Sequence, residues 1–291
     1  MADANARLER RAARRRFERA AGTYADAARL EAEVGARMLA RLDFVRVAPR
    51  RILDAGAGTA REALRLAERY RGARLIALDF SLAMLSRGRR RGGLLSRLFT
   101  DRRPLPLCAD FERLPLASDS IGLVWSNMAL HWLDEPLDAL REFQRVLAKD
   151  GLVMLSTLGP DTLKELRAAA GERRVHRFMD MHDLGDRLVA AGFSAPVIDM
   201  EVITVTYPDP DAFLTELRAT GQTSVRADRP RGLAGRRFLA QLHASLRART
   251  RGDRLPATFE VVYGHAWKGA PRAKTGDAAV VRFDLSRHRK S

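Results

Sequence analysis

From residue 51 onward, short apolar runs of strand length alternate with stretches whose apolar positions recur at helical spacing. The strand-like runs are RILDAGA, ARLIALDF, PLCADF, IGLVWSN and GLVMLSTL, and helices are predicted over Arg61 to Tyr70, Ser81 to about Arg91 and about Pro136 to Leu147. This alternation predicts an α/β fold, a parallel sheet with helices on both faces. Further on, the pattern predicts helices over Thr162 to Ala170 and His182 to Ala191, then the long strand VIDMEVITVTY. Helices near Asp209 to Ala219 and Leu233 to Arg249 and a last strand, ATFEVVYGHAWK, complete it. Two late strands separated only by helices read as a hairpin interrupted by a helical insertion, placed to act as a lid. Before residue 51, Leu8, Ala12, Phe17, Ala20, Tyr24, Leu30, Val34, Met38 and Leu42 follow the apolar stripe of one or two helices. The expected organisation is a helical segment over 1–50, an α/β domain over 51–268 with an insertion at about 209–249, and a tail over 269–291. In that tail Pro, Gly and Lys favour fraying.

Composition narrows the class of protein. Hydrophobic residues make up 46% of the 291 and charged residues 30%, enough apolar material for a large core and too much for a disordered chain. No run approaches the roughly 18 apolar residues of a membrane span, and no secretory signal is recognisable. Asp3, Glu9 and Glu18 argue against a mitochondrial transit peptide, so a cytoplasmic protein is expected. The single cysteine, Cys108, has no partner for a disulfide or a metal site, no metal is expected, and Cys108 reads as a small buried residue on a strand. With 52 basic and 36 acidic residues the net charge is +16, a field that attracts something acidic. Only five of the cations are lysines, so part of this excess is arginine usage in general. Clustering is more informative: Arg87 to Arg103 holds seven arginines against one Asp, and Arg226 to Arg254 holds nine against two. Both are candidate docking surfaces.

The candidate chemistry sits at strand ends. In LDAGAGTA, Asp54 closes a buried strand, and Gly56 and Gly58 follow in a tight turn where a side chain would keep a ligand away from the backbone. Arg61 stands where a dinucleotide fingerprint requires its last glycine, so that motif fails. Asp79 ends the second strand, placed to accept both hydroxyl protons of a ribose, and Asp110 with Phe111 ends the third, an acceptor beside an aromatic face suited to adenine. Three acids at the carboxyl ends of successive parallel strands lie on the edge where open α/β sheets bind ligands.

The series LDAGAGTA, IALDFSLAML, ADFERLPLASDSIGLVWSN and the helix before GLVML resembles the seven-stranded class I methyltransferases that use S-adenosylmethionine. That resemblance implies cofactor contacts at Asp54, Ala55, Gly56, Gly58, Asp79, Phe80, Met84, Asp110, Phe111 and Asn127. Ala60 stands where a third glycine is usual, and a methyl is expected to be tolerated there.

Over nearly the whole chain the sequence also resembles the biotin-pathway enzymes that methylate malonyl-acyl carrier protein. The matching segments are FERAAGTYADAA, SNMALHWLDEPLDALREFQRVL, STLGPDTLKELRAA, DMHDLGDRLVAAGF, ELRATGQTSVRADRPRGLAGRR and LPATFEVVYGHAWK. The family implies methyl transfer to the free carboxylate of a malonyl thioester, an early step of biotin synthesis, with acyl carrier protein as the partner. A stretch that in the family reads like His-Val-Asn-Arg-Phe is here Arg174, Val175, His176, Arg177 and Phe178, so the histidine and the asparagine are replaced while Arg177 and Phe178 match. A carboxylate is already a nucleophile at neutral pH, so such an enzyme aligns and desolvates rather than supplying a strong base. Tyr24, His131 and Arg177 are the residues expected near the acceptor. Three other readings remain at this point: a nucleic-acid methyltransferase, for which no RNA-binding module is recognisable; an arginine hydroxylase or assembly factor of respiratory complex I, which shares the fold and the TLGPDTLKELR-like segment; and a binding protein that kept only the cofactor fold. No membrane partner is expected and nucleic acid is not favoured, while the sequence leaves the oligomeric state open.

Overall fold

The computed structural model describes residues 7–90, 103–232 and 234–269. Residues 91–102 of the first arginine cluster and nearly all of the tail thus lie outside the described residues. In chain order the elements are helices α1 (Arg10–Ala20), α2 (Tyr24–Ala27) and α3 (Arg29–Arg41), then strand β1 (Arg51–Ala55), α4 (Arg61–Arg69), β2 (Arg74–Asp79), α5 (Leu82–Arg90) and β3 (Leu105–Cys108). They continue with β4 (Ile121–Ser126), α6 (Leu137–Val146), β5 (Leu147–Leu158), α7 (Lys164–Ala170), α8 (Met181–Ala190), β6 (Ser194–Tyr207), α9 (Pro210–Ala219), α10 (Arg236–Arg247) and β7 (Leu255–Trp267).

Seven strands form one sheet in the order β3-β2-β1-β4-β5-β7-β6. β1 to β5 pair in parallel and β7 runs antiparallel to both β5 and β6. The long β6–β7 hairpin carries α9 and α10 between its strands, the interrupted hairpin that the pattern of late strands predicts. Alternation along the strands divides the core. Ile52, Trp125 and Met154 pack with Val34 and Met38 of α3 and Leu66 of α4 on one face. Leu53, Val124 and Val153 pack with Phe143 of α6 and Leu188 of α8 on the other. Each of these side chains is at most 2% exposed, and such burial contributes roughly 1.5–3 kcal/mol apiece.

Two expectations change. The N-terminal stripe folds as three helices rather than one or two, because the chain turns after α1, where the Thr23 hydroxyl donates to the carbonyls of Ala20 and Ala219, and turns again at Ala28. Cys108 is exposed rather than buried, because β3 is an edge strand of the sheet. Ahead of α1 the chain is strapped to the segment after α9: the Glu9 N–H donates to Val225 O (2.8 Å) and the Ala227 N–H to Arg7 O (2.7 Å). No described helix is long and apolar enough to cross a membrane.

Candidate active site

The turn after β1 is locked to β2: the N–H groups of Gly56 and Ala57 both donate to Leu78 O, at 2.9 and 2.8 Å. Gly56 has φ +84°, and a Cβ there would collide with the side chain of Ala129, so the position requires glycine on two counts. Gly58 and Ala60 also have positive φ, 52° and 58°. The methyl of Ala60 is therefore tolerated at the cost of a left-handed backbone, roughly 1–2 kcal/mol for a residue with a Cβ.

Over this turn lies a cavity at the carboxyl ends of the parallel strands. Gly56 and Gly58 line it from β1, Asp79, Phe80 and Met84 from the β2–α5 junction, Asp110 and Phe111 from beyond β3, and Asn127 from beyond β4. α1 covers it: Phe17 packs edge-on against Phe80 (5.8 Å) and Trp132 (4.8 Å), and the Arg10 guanidinium lies 3.3 Å from the Asp110 carboxylate and pairs with Glu112 as well. Asp79 is buried, not at an open strand end. Its carboxylate accepts from the N–H groups of Gly58 (2.9 Å) and Ser81 (2.7 Å). Burial pushes its pKa up to about 6, against the lowering effect of those two bonds.

Next to this cavity a polar recess, lined by Tyr24, Glu31, Asp54, Arg61, Glu62 and Asn127, continues beneath the turn. Asp54 faces this recess and not the larger cavity. Burial, reinforced by Glu62 and Asp79, raises its pKa well above the usual carboxylate range. Glu31 rises to about 7 for the same first reason. Asp54 Oδ2 and Glu62 Oε1 have no hydrogen-bond partner among the described residues. Buried carboxylate oxygens left in this condition fit a cationic group, such as an ammonium. Ala55 lines neither space; its side chain packs in the core and its carbonyl accepts from the Ser126 hydroxyl. It is the one expected cofactor residue that the fold turns away.

A second cavity, about 280 Å³, lies under the insertion. Leu163 and Leu166 (from α7 and the turn before it), Leu217 of α9 and Leu242 of α10 make its apolar wall, and His131, Trp132 and His176 close it toward the first cavity. Trp132 lines both cavities and is the wall between them. His131 is buried with Nδ1 unpartnered among the described residues, and burial, with His176 nearby, lowers its pKa to about 3. His176 falls to about 4, through burial and then the charges of Arg226, Arg16 and Arg229. Its Nε2 accepts from the Val225 N–H (2.9 Å), which puts its own proton on Nδ1. Both imidazoles are therefore neutral at physiological pH.

The three residues expected at the acceptor separate. His131 lines the second cavity, whereas Tyr24 belongs to the first, with its ring against Gly58. Arg177 is exposed and lines neither space, because the two residues before it, Val175 and His176, take the buried positions. Trp132 and His176 are the residues that sequence reasoning passed over. For Trp132 the signal was its place next to His131; for His176 there was only a histidine where the family has another residue.

The sequence model of a methyltransferase domain matches residues 53–155. A malonyl-[acyl-carrier protein] O-methyltransferase from Methylovorus sp. (strain MP688) is 49% identical over 93% of this chain and 93% of its own length. One from Gallionella capsiferriformans (strain ES-2) is 46% identical over 94% and 96%. Among solved structures, the YcgJ protein of Bacillus subtilis superposes with a TM-score of 0.58 at 16% identity, over 80% of this chain and 98% of that one, a likeness of fold alone. With relatives matched at this identity along nearly their whole length, the chain belongs to the malonyl-[acyl-carrier protein] O-methyltransferase family.

Proposed function

We infer that the protein transfers the methyl group of S-adenosylmethionine to the free carboxylate of a malonyl thioester carried on acyl carrier protein, in the cytoplasm, at an early step of biotin synthesis. One observation carries this reading: a cavity shaped for a nucleoside and a second, apolar cavity meet at a single side chain, Trp132. Donor and acceptor then meet at the edge of that indole. The near-full-length family relationship favours this chemistry over arginine hydroxylation or nucleic-acid methylation.

Each part of the site has a task in this reading. Asp79 accepts from the ribose hydroxyls, Asp110 and Phe111 take the adenine, and the recess with Asp54, Glu31 and Glu62 takes the ammonium end of the methionine. When bound, S-adenosylmethionine supplies an electrophilic methyl on a sulfonium with a good leaving group. In the acceptor cavity the neutral His131 offers a ring N–H to a carboxylate oxygen and orients it, while the leucine wall excludes water. No general base is needed, because the attacking oxygen carries no proton. The test is transfer of labelled methyl to the carrier protein with and without its malonyl group. Label that depends on the malonyl group supports the reading, and label on both carriers alike contradicts it.

A further inference from the structure

Cations are distributed unevenly around the acceptor cavity. Its interior presents leucines and two neutral histidines, whereas Arg174 and Arg218, half-buried and exposed respectively, stand at its rim. Of the three arginines that line the two cavities, Arg10 is committed to Asp110 and Glu112, and in the segment after α9 Arg229 and Arg231 pair with Glu9 and Arg226 with Asp228. Arg174 and Arg218 form no ion pair or side-chain hydrogen bond among the described residues. Arg174 is held in place by stacking, its guanidinium carbon 4.0 Å from the centroid of Phe238 on α10, which leaves its N–H edges free to donate.

The start of α10 adds a third element. Ala234, just before the N-cap Gly235, lines the same cavity, and the helix begins without a side-chain cap or an acidic residue in its first turn. That turn instead carries Arg236 and Arg237, the wrong sign for a helix N-terminus unless an anion is brought there. Two unpaired arginines and an uncapped helix start along one cavity form a receptor for a compact anion with several acceptor oxygens. The malonyl carboxylate is not that anion, since it must reach the inner wall at Trp132 to meet the methyl group.

We propose that Arg174 and Arg218, together with the N-terminus of α10, bind the phosphate ester at the outer end of the pantetheine arm whose inner end bears the malonyl thioester. This rests on the reading of the acceptor as a carrier-linked thioester. It makes the cavity a channel read at both ends, carboxylate at His131 and phosphate at the rim.

The experiment compares kcat/KM for S-malonyl phosphopantetheine and S-malonyl pantetheine, which differ only in the phosphate. The native protein should prefer the phosphorylated form by at least about tenfold, the lower end for hydrogen bonds to a charged group. In Arg174→Gln/Arg218→Gln the ratio should fall to about one, and in Arg174→Lys/Arg218→Lys, which keeps both charges, part of the preference should return. S-adenosylhomocysteine affinity by calorimetry reports that each variant is folded. Equal use of the two thioesters by the native protein, or a preference surviving in the glutamine variant, overturns the proposal. A rise of KM for malonyl-carrier protein in that variant identifies the carrier-linked phosphodiester as the natural anion, and an unchanged KM overturns that assignment. If the native protein methylates no malonyl thioester at all, the underlying function has failed rather than the phosphate site.

Discussion

The carboxylate of Asp79 accepts a hydrogen bond from the backbone N–H of Gly58, 2.9 Å away, so the residue proposed to hold the ribose also holds the glycine turn. Asp79→Asn keeps the shape and one acceptor oxygen but turns an N–H₂ toward one of two backbone donors. Affinity for S-adenosylhomocysteine should fall by at least about tenfold, with a lowered melting temperature as well, because two structural bonds are weakened. Calorimetry and thermal unfolding on one preparation check both, and unchanged affinity removes Asp79 from the cofactor site.

His131→Phe separates function from stability. The ring contacts to Trp132 and Phe178 are kept, and a buried nitrogen with no partner among the described residues is removed. Methyl transfer should drop by about tenfold or more, while the melting temperature holds or rises, since the native histidine leaves a polar group unsatisfied. A variant that is destabilised and also fully active would show that His131 is a structural residue.

The raised pKa of Asp79 gives a pH dependence with a fixed sign. Its carboxyl holds its proton up to about pH 6 in the folded protein, against 3.8 as the ordinary value, so the empty protein is favoured at acid pH and loses that contribution as pH rises through about 6. Glu31 acts in the same sense up to about 7. In the proposed site the cofactor needs these groups ionised, to accept from the ribose and to meet the ammonium. Its affinity should therefore rise between about pH 5.5 and 7.5, with proton release on binding. Calorimetry in buffers of different ionisation enthalpy measures that release, and affinity independent of pH contradicts the assignment.

For the basic docking surface, the structure removes Arg231 from the free charges by pairing it with Glu9, so reversing it would loosen the strap in front of α1. The reversal is better confined to Arg236→Glu/Arg237→Glu. KM for malonyl-carrier protein should rise and become less sensitive to salt, while S-malonyl pantetheine, with neither carrier nor phosphate, is turned over at much the same rate. Equal slowing of both substrates would make this turn of α10 part of a lid.

Much of the fold was legible because its signals are local. Strand-length apolar runs, the glycines at 56 and 58, and acids at strand ends each reflect a period or a turn written in neighbouring residues. What was not legible depends on which elements are neighbours in space. Cys108 was misjudged because nothing in PLCADF says that β3 is an edge. Arg177 was placed at the acceptor because it matched a family motif, yet Val175 and His176 take the inward positions and leave it outside. Asp54 sits at the expected strand end but faces the recess formed with Glu31 of α3, a contact between residues far apart in the chain. The role of Trp132 as a wall exists only once the insertion has folded over it.

The central claim is that a carboxylate of a malonyl thioester receives the methyl group. The protein is incubated with S-adenosylmethionine and malonyl-carrier protein, and the acyl group is then released from the arm and weighed by mass spectrometry. The account predicts a malonyl methyl ester, heavier than malonate by one methylene and labile to mild alkali. An unmodified malonyl group, or a methyl found on the carrier polypeptide instead of on its acyl chain, contradicts it.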